Sequence, residues 1–372
     1  MFAGIPLLQI FVKNEVAGSS RIEVSFMAII KSYLLTAVLG VIGAYVFQLL
    51  HIPMPWLLGP LLTILVLQLT TPLPLKWNKH FRNFGLVIAG YSIGHAFTLE
   101  ALADIRLYLP AMISLNVLYI ILFILISWVI VKRVKVDQLT ALTSCVPGGM
   151  TQIVAYAEEQ GSKHITMITF YQVLRVLCIV GFVPMLVAGS SSSSSTSVSD
   201  AHYTLPFLLF FTLSYIAGFV AMKIKIPTGY MLGPVFLFMG LQLATIEIPE
   251  IPVSALHVAQ IVLGIYIGLL MKKESLHLSK KLIFYAFVSS FLYIASAFGL
   301  ALLAMQFYPL DFKTSFLSIV PGGLVQMGII SASVHADSTI VTAFQLFRVL
   351  VVSIAIVPSI KYFTSKSRSR HA

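Results

Sequence analysis

The sequence predicts an all-α, polytopic integral membrane protein of two inverted repeats, each with about five spanning helices and one re-entrant or broken helix. Three observations carry that reading: apolar runs of spanning length with almost no charge, a duplication at a fixed offset, and basic clusters that change sides between the copies. Of the 372 residues, 58% are hydrophobic and only 10% charged, with a mean hydropathy of +0.96. A soluble domain carries about 25% charged residues, so this chain belongs in lipid. A hydrocarbon core of roughly 30 Å needs about 20 apolar residues per helix, and residues 111–131 and 282–305 meet that need. Runs this continuous lack the alternation of an outer-membrane barrel, and open sheets leave unpaired backbone groups in lipid, so helices are the remaining solution.

In chain order, residues 1–27 form an N-terminal arm holding Lys13, Glu15, Arg21 and Glu23, without a recognisable cleavable signal peptide. The arm reads as dispensable or as the product of a mis-called start codon, with the second preferred. Residues 28–188 form the first membrane repeat. Within it, Ile52-Pro53-Met54-Pro55-Trp56-Leu57-Leu58-Gly59-Pro60 reads as a tight turn into a short helix. Gly90 and Gly94 have the small-xxx-small spacing that lets helices approach closely. Pro147-Gly148-Gly149 marks the segment expected to break, because Pro lacks a donor and Gly weakens a helix. A span from about residue 165 to residue 186 then carries Gln172 and Arg175.

Residues 189–202 are a serine-rich spacer, with serine at every position from 190 to 195, and cannot span. Residues 203–360 form the second repeat. Ile226 to Pro234 repeats the first turn, Gly264 and Gly268 repeat the glycine pair, and Pro321-Gly322-Gly323 repeats the break, each 174 positions after its partner. Three matches in one register exclude chance and identify an internal duplication. Gln345 and Arg348 repeat Gln172 and Arg175 at 173 positions, which places one insertion or deletion between the motifs. Residues 361–372 form a basic tail with Lys366, Arg368 and Arg370.

Charge placement predicts the inversion. Lys76, Lys79 and Arg82 precede the third apolar segment of the first copy, whereas Lys272 and Lys273 follow its counterpart. Lys132, Arg133 and Lys135 follow the next segment, whereas Lys280 and Lys281 precede its counterpart. With Lys and Arg held inside, the two copies cross in opposite directions, and five crossings per copy put every basic cluster in the cytoplasm and the serine spacer outside. The formal charge of +11 is therefore topological, since no soluble basic face or arm exists to bind nucleic acid directly. Cys145 and Cys178 lie in apolar surroundings and predict neither a disulfide nor a zinc site, and no cofactor is expected.

The candidate binding residues are Arg175, Arg348, Gln172, Gln345, Gln152, Gln326, Gly148, Gly149, Gly322 and Gly323. An Arg at the centre of a span costs about 2.5–3.5 kcal/mol on insertion scales, so such residues face the bundle interior or a water-filled cavity. Gln three residues before each Arg shares its helix face. Two readings stand side by side. Each Arg either holds carbonyls freed by the broken helices, or both point at one midplane cavity where a small, anionic substrate binds. Restarting helices after Gly149 and Gly323 expose N–H groups suited to an anion, and Gln152 and Gln326 add neutral donors there or bond between helices. Glu158 and Glu159 have no acidic counterparts in the second copy, and His95 corresponds to Leu269, so these read as loop and structural residues.

The repeated Leu-Gly-Pro turn, the paired Pro-Gly-Gly motifs and the paired Gln-x-x-Arg elements resemble the membrane AbrB family with its duplicated domain, over residues 29–360. Its members are often labelled ammonia monooxygenase or transcriptional regulator. The resemblance implies an acidic residue shortly after Pro-Gly-Gly, where this chain carries Gln152 and Gln326. It also implies a membrane-bound regulator acting indirectly on gene expression as an alternative to a transporter or exporter. An oxygenase would need clustered His ligands, and the nine histidines here are scattered, so no enzyme activity is expected. The expected setting is the bacterial cytoplasmic membrane, with lipid and a small molecule as partners and no direct nucleic acid.

Overall fold

A computed structural model describes residues 29–95, 99–147, 164–188, 205–224, 228–246, 248–273 and 278–352, together with positions 153, 157, 162 and 226. The N-terminal arm, the serine spacer, Gly148, Gly149, Gln152, Glu158, Glu159 and the basic tail lie outside the described residues. The first copy contributes α1 (Ile29–Leu49), α2 (Pro55–Thr70), α3 (Lys79–His95), α4 (Leu99–Val134), α5 (Gln138–Cys145) and α6 (Ile165–Ala188). The second contributes α7 (Leu205–Lys223), α8 (Gly229–Leu243), α9 (Val253–Gly268), α10 (Lys280–Phe307), α11 (Phe312–Ile319), α12 (Leu324–Ser333) and α13 (Ser338–Val351). All regular structure among the described residues is helical. The duplication is visible in the helix boundaries: α5 and α11 are both eight residues long and occupy equivalent positions of the two copies.

Helices α1, α4, α6, α7 and α10 are long and apolar enough to cross a membrane. Four of them turn large apolar side chains outward, among them Leu34, Leu125, Leu209 and Phe284. That is the surface expected against lipid tails. Helix α6 differs, with 72% of its most apolar window buried. Helices α2, α8, α9 and α13, of 14 to 16 residues, are shorter and lie inside. The turns into α2 and α8 share one geometry. Met54 (φ 52°) and Thr228 (φ 51°) take left-handed backbone just before the helix, and Pro55 then starts α2 where its missing N–H costs nothing.

Close packing runs through glycine. A side chain on Gly59 would strike the Gly43 backbone of α1, and one on Gly233 would strike the Ala217 backbone of α7, so each copy opens with a tight helix pair. The next helices exchange partners between copies. Gly90 on α3 lies against the Met231 carbonyl and Gly94 against Val235 and Phe238 of α8. Gly264 on α9 lies against the Leu57 carbonyl and Gly268 against the Leu61 carbonyl of α2. Both contacts advance along the two chains together, so α3 runs parallel to α8 and α9 parallel to α2. Where α3 meets α9 the order reverses: Arg82 reaches Tyr266 and Gly85 faces Leu263 and Ala259. His95 is structural here, its Nε2–H donating to the Ile248 carbonyl at 3.2 Å.

This interlock predicts a stability pattern. Gly90→Ala and Gly264→Ala should each cost about 1–3 kcal/mol by overpacking and lower the melting temperature in detergent. Gly299→Ala on the outer face of α10, with nothing within 4 Å, should leave it unchanged or raise it slightly. Equal melting temperatures for all three variants would contradict the interlock.

Candidate functional site

The site begins with two helices too short to cross. At 1.5 Å per residue, α11 and α12 span about 12 and 15 Å, each roughly half of the hydrocarbon core. Asp311 caps α11 by accepting from the N–H groups of Lys313 and Thr314. The helix stops before Pro321-Gly322-Gly323, where Gly323 takes φ +94°, a conformation costly for any other residue. The chain then turns back. Asp337 N–H donates to Thr314 Oγ1 at 3.0 Å, and Lys313 Nζ donates to the Val334 carbonyl at 3.3 Å. The start of α11 therefore sits beside the end of α12, and the two form a helical hairpin. In the first copy Asp137 caps α5, and Thr140 Oγ1 lies 3.2 Å from Ser162 Oγ, so Ser162 sits beside the start of α5.

A helix that ends in an apolar interior leaves four carbonyls without donors. In the second copy all four are met by α13. Gln345 Nε2 donates to the carbonyls of Leu317 (2.8 Å) and Val320 (2.9 Å). Arg348 Nη2 donates to Ser318 (2.9 Å) and Ile319 (2.7 Å), while Nη1 donates to Val320 (3.0 Å). In the first copy Gln172 Nε2 donates to Thr143 (2.7 Å) and Val146 (2.9 Å), with Ser144 at the longer distance of 3.5 Å. Arg175 donates to the Cys145 carbonyl (3.2 Å) through Nη1 and to Gln172 Oε1 (2.6 Å) through Nη2. The Gln-x-x-Arg motif is thus a cap delivered from a neighbouring helix, and each guanidinium is at least 94% buried.

Two tyrosines complete the caps. Tyr293 donates its hydroxyl to the Cys145 carbonyl at 3.2 Å, beside Arg175. Tyr119, its counterpart 174 positions earlier, lies under Arg348 with 5.5 Å between guanidinium carbon and ring centroid. Each tyrosine thus serves the arginine of the other copy. A helix C-terminus carries about half a negative charge, so each Arg keeps about half a positive charge uncompensated.

Both arginines line one cavity of about 320 Å³, together with Pro147, Gln326, Gln345 and the Pro321-Gly322-Gly323 turn. The sequence reading had placed Gln172 in the site as well; it is fully buried among the carbonyls and is not among the lining residues. Arg82 also lines the cavity, half-buried, with Nη1 3.3 Å from the Tyr266 hydroxyl and its guanidinium carbon 5.2 Å from that ring. No Asp or Glu lines it among the described residues. The Nε–H groups of Arg175 and Arg348 find no acceptor among the described residues. Three arginines and a glycine turn therefore line a space to which the described residues bring no counter-charge.

Sequence reasoning missed Arg82, Tyr266, Tyr119 and Tyr293. Arg82 had been read only as a topological charge. Tyr119 and Tyr293 could have been found as a tyrosine pair at the repeat offset, each within an otherwise apolar span.

The architecture of the described residues is that of a duplicated, all-helical membrane-type protein with a half-length helix ending inside it in each copy and a helical hairpin in the second. The chain belongs to the AbrB family, described as "Transition state regulatory protein AbrB", which it matches over residues 56–364. It is 27% identical over 347 residues to "Uncharacterized protein YhjN" of Bacillus subtilis (strain 168), covering 85% of this chain and 88% of that one. It is 26% identical over 340 residues to "Putative regulator AbrB" of Escherichia coli (strain K12), covering 88% and 96%.

The caps make an asymmetric prediction. Arg348→Met takes the donor from the Ile319 carbonyl and leaves Ser318 only the 3.4 Å contact from Gln345, while Val320 keeps Gln345 and the Gly322 N–H; Arg175→Met strips one carbonyl that Tyr293 also serves. At about 1–3 kcal/mol per unsatisfied buried group, Arg348→Met should lose more stability than Arg175→Met, read as melting temperature in detergent. Wild-type melting of Arg348→Met would show that its carbonyl contacts carry no weight.

Proposed function

We propose that this chain is a secondary transporter or exporter of a small anionic metabolite in the bacterial cytoplasmic membrane, with its site at the repeat interface. The observation that carries the reading is the 320 Å³ cavity lined by Arg82, Arg175 and Arg348 and, among the described residues, by no carboxylate. A space of that size suits a small organic anion rather than a polymer. Charge inside a membrane protein is costly and marks substrate pathways, and half-length helices meeting near the midplane are the usual frame for such sites. Lys76 before α3 and Lys79 and Arg82 in its first turn, with Lys272 and Lys273 after α9, support an inverted arrangement in which the Arg82–Tyr266 end of the cavity faces the cytoplasm. Lipid and the small anion are the partners in this reading, without cofactor, catalysis or direct nucleic-acid contact.

The name of the Escherichia coli relative supports a second reading, that of a membrane-bound regulator. It joins the first if the transported anion is itself a signal, so that gene expression responds indirectly.

Uptake into proteoliposomes, tested with mono- and dicarboxylates, phosphate and sulfate, decides the matter. At least one anion should move, and Arg82→Gln should raise its KM about tenfold, the loss expected for one hydrogen bond to a charged group. Arg82 is the residue of choice because, unlike Arg175 and Arg348, it caps no helix. Absence of flux for every anion, or an unchanged KM in Arg82→Gln, would contradict the reading.

A further inference from the structure

A second, larger cavity of about 560 Å³ lies at the other end of the antiparallel α3–α9 pair. Its walls are the repeat's image of the arginine cavity. Met54, Ser92, Ile93 and Leu256 line the larger space, and their counterparts 174 positions away, Thr228, Tyr266, Ile267 and Arg82, line the smaller one. The two cavities are thus the same structural position seen once from each copy. On the antiparallel pair, equivalent positions fall at opposite ends, so the cavities face opposite ways.

Helix α12 joins them. Gly323 to Gln326, at its start, line the arginine cavity, whereas Gly328, Ile329, Ala332 and Ser333 line the larger one. Met327 lies between these two groups and is fully buried. Gly328 presses on the side chain of Ile93, and Ile93 and Ile267 are themselves 1% and 2% exposed. About one helical turn of apolar side chains therefore separates the two spaces. Chemically the cavities differ. Among the described residues the larger is lined by no Asp, Glu, Lys or Arg; its polar groups include Ser92, His335, the Gln260–Ser333 pair (2.9 Å) and His257, whose ring stacks on Trp56 at 4.6 Å. Neutral donors can accept an anion without the hold that three guanidinium groups exert.

We propose that the larger cavity is the second vestibule of the anion route, opening on the opposite face of the membrane, and that α12 with Ile93 and Ile267 forms the barrier between the two. The proposal rests on the transporter reading and adds the route's second half, its neutral chemistry and its gate. The charge pattern places the arginine cavity inside and this vestibule outside.

Single cysteines read with a membrane-impermeant thiol reagent, on right-side-out and inverted vesicles, test it. Cys145 and Cys178 are buried and free, so the parent protein is the unlabelled control. Ser92→Cys and Ser333→Cys should react from the outer face only, and Tyr266→Cys and Val325→Cys from the inner face only. Two positions per cavity guard against a variant that fails to fold. Attachment of a bulky reagent at Ser333→Cys should also lower anion flux at least tenfold. All four reacting from one face, or Ser92→Cys and Ser333→Cys from neither, would overturn the proposal. Labelling needs no flux, so the two readings fail separately. Opposite-face labelling without flux of any anion removes the transporter reading, whereas one-face labelling with normal flux removes the second vestibule alone.

Discussion

A helix cannot end inside a low-dielectric interior unless something donates to its last carbonyls, and this protein ends two helices there. The requirement is severe, because each unsatisfied buried carbonyl costs about 1–3 kcal/mol and four are left at each end. The donor set that meets it is one glutamine and one arginine, three residues apart on the adjacent helix α6 or α13. Solving the problem with arginine introduces a charge that the carbonyls offset only in part. The arrangement that stabilises the helix ends is therefore the same one that makes the cavity between them electropositive. Capping and cavity lining coincide at Arg175 and Arg348.

The glycine contacts give this arrangement its frame. Because α3 packs on α8 and α9 on α2 with backbone nearly touching backbone, the inner helices of each copy are held by the other. The two copies share one core, and the α3–α9 pair at its centre presents Arg82 and Tyr266 at one end and Ser92 and Leu256 at the other. The ends of α5 and α11 meet the same space, as Pro147 from one copy and Pro321 from the other both line it. A cavity that draws on both copies follows from the interlock.

Much of this was legible in the chain. Hydrophobic runs set the helical membrane class, and the 174-residue register carried over to helix boundaries, down to α5 and α11 with eight residues each. Pro-Gly-Gly marked the breaks because proline and glycine act locally. What the sequence could not show was where Gln172, Arg175, Gln345 and Arg348 point, since their acceptors are backbone carbonyls common to every residue. Of the two readings left open there, carbonyl capping is the geometry found, and lining the cavity accompanies it for both arginines. Arg82 was hidden for a different reason: an arginine near a helix start looks the same whether it serves topology or a site, until Tyr266 is seen beside it.

Halide binding at the cavity is the most direct test of the claim that capping leaves it positively charged. Crystals grown or soaked with bromide should show an anomalous peak within hydrogen-bonding reach of Arg82 or of the Pro321-Gly322-Gly323 turn, and it should disappear in Arg82→Gln. A cavity without bromide, in crystals whose other cationic surfaces bind it, would contradict the claim.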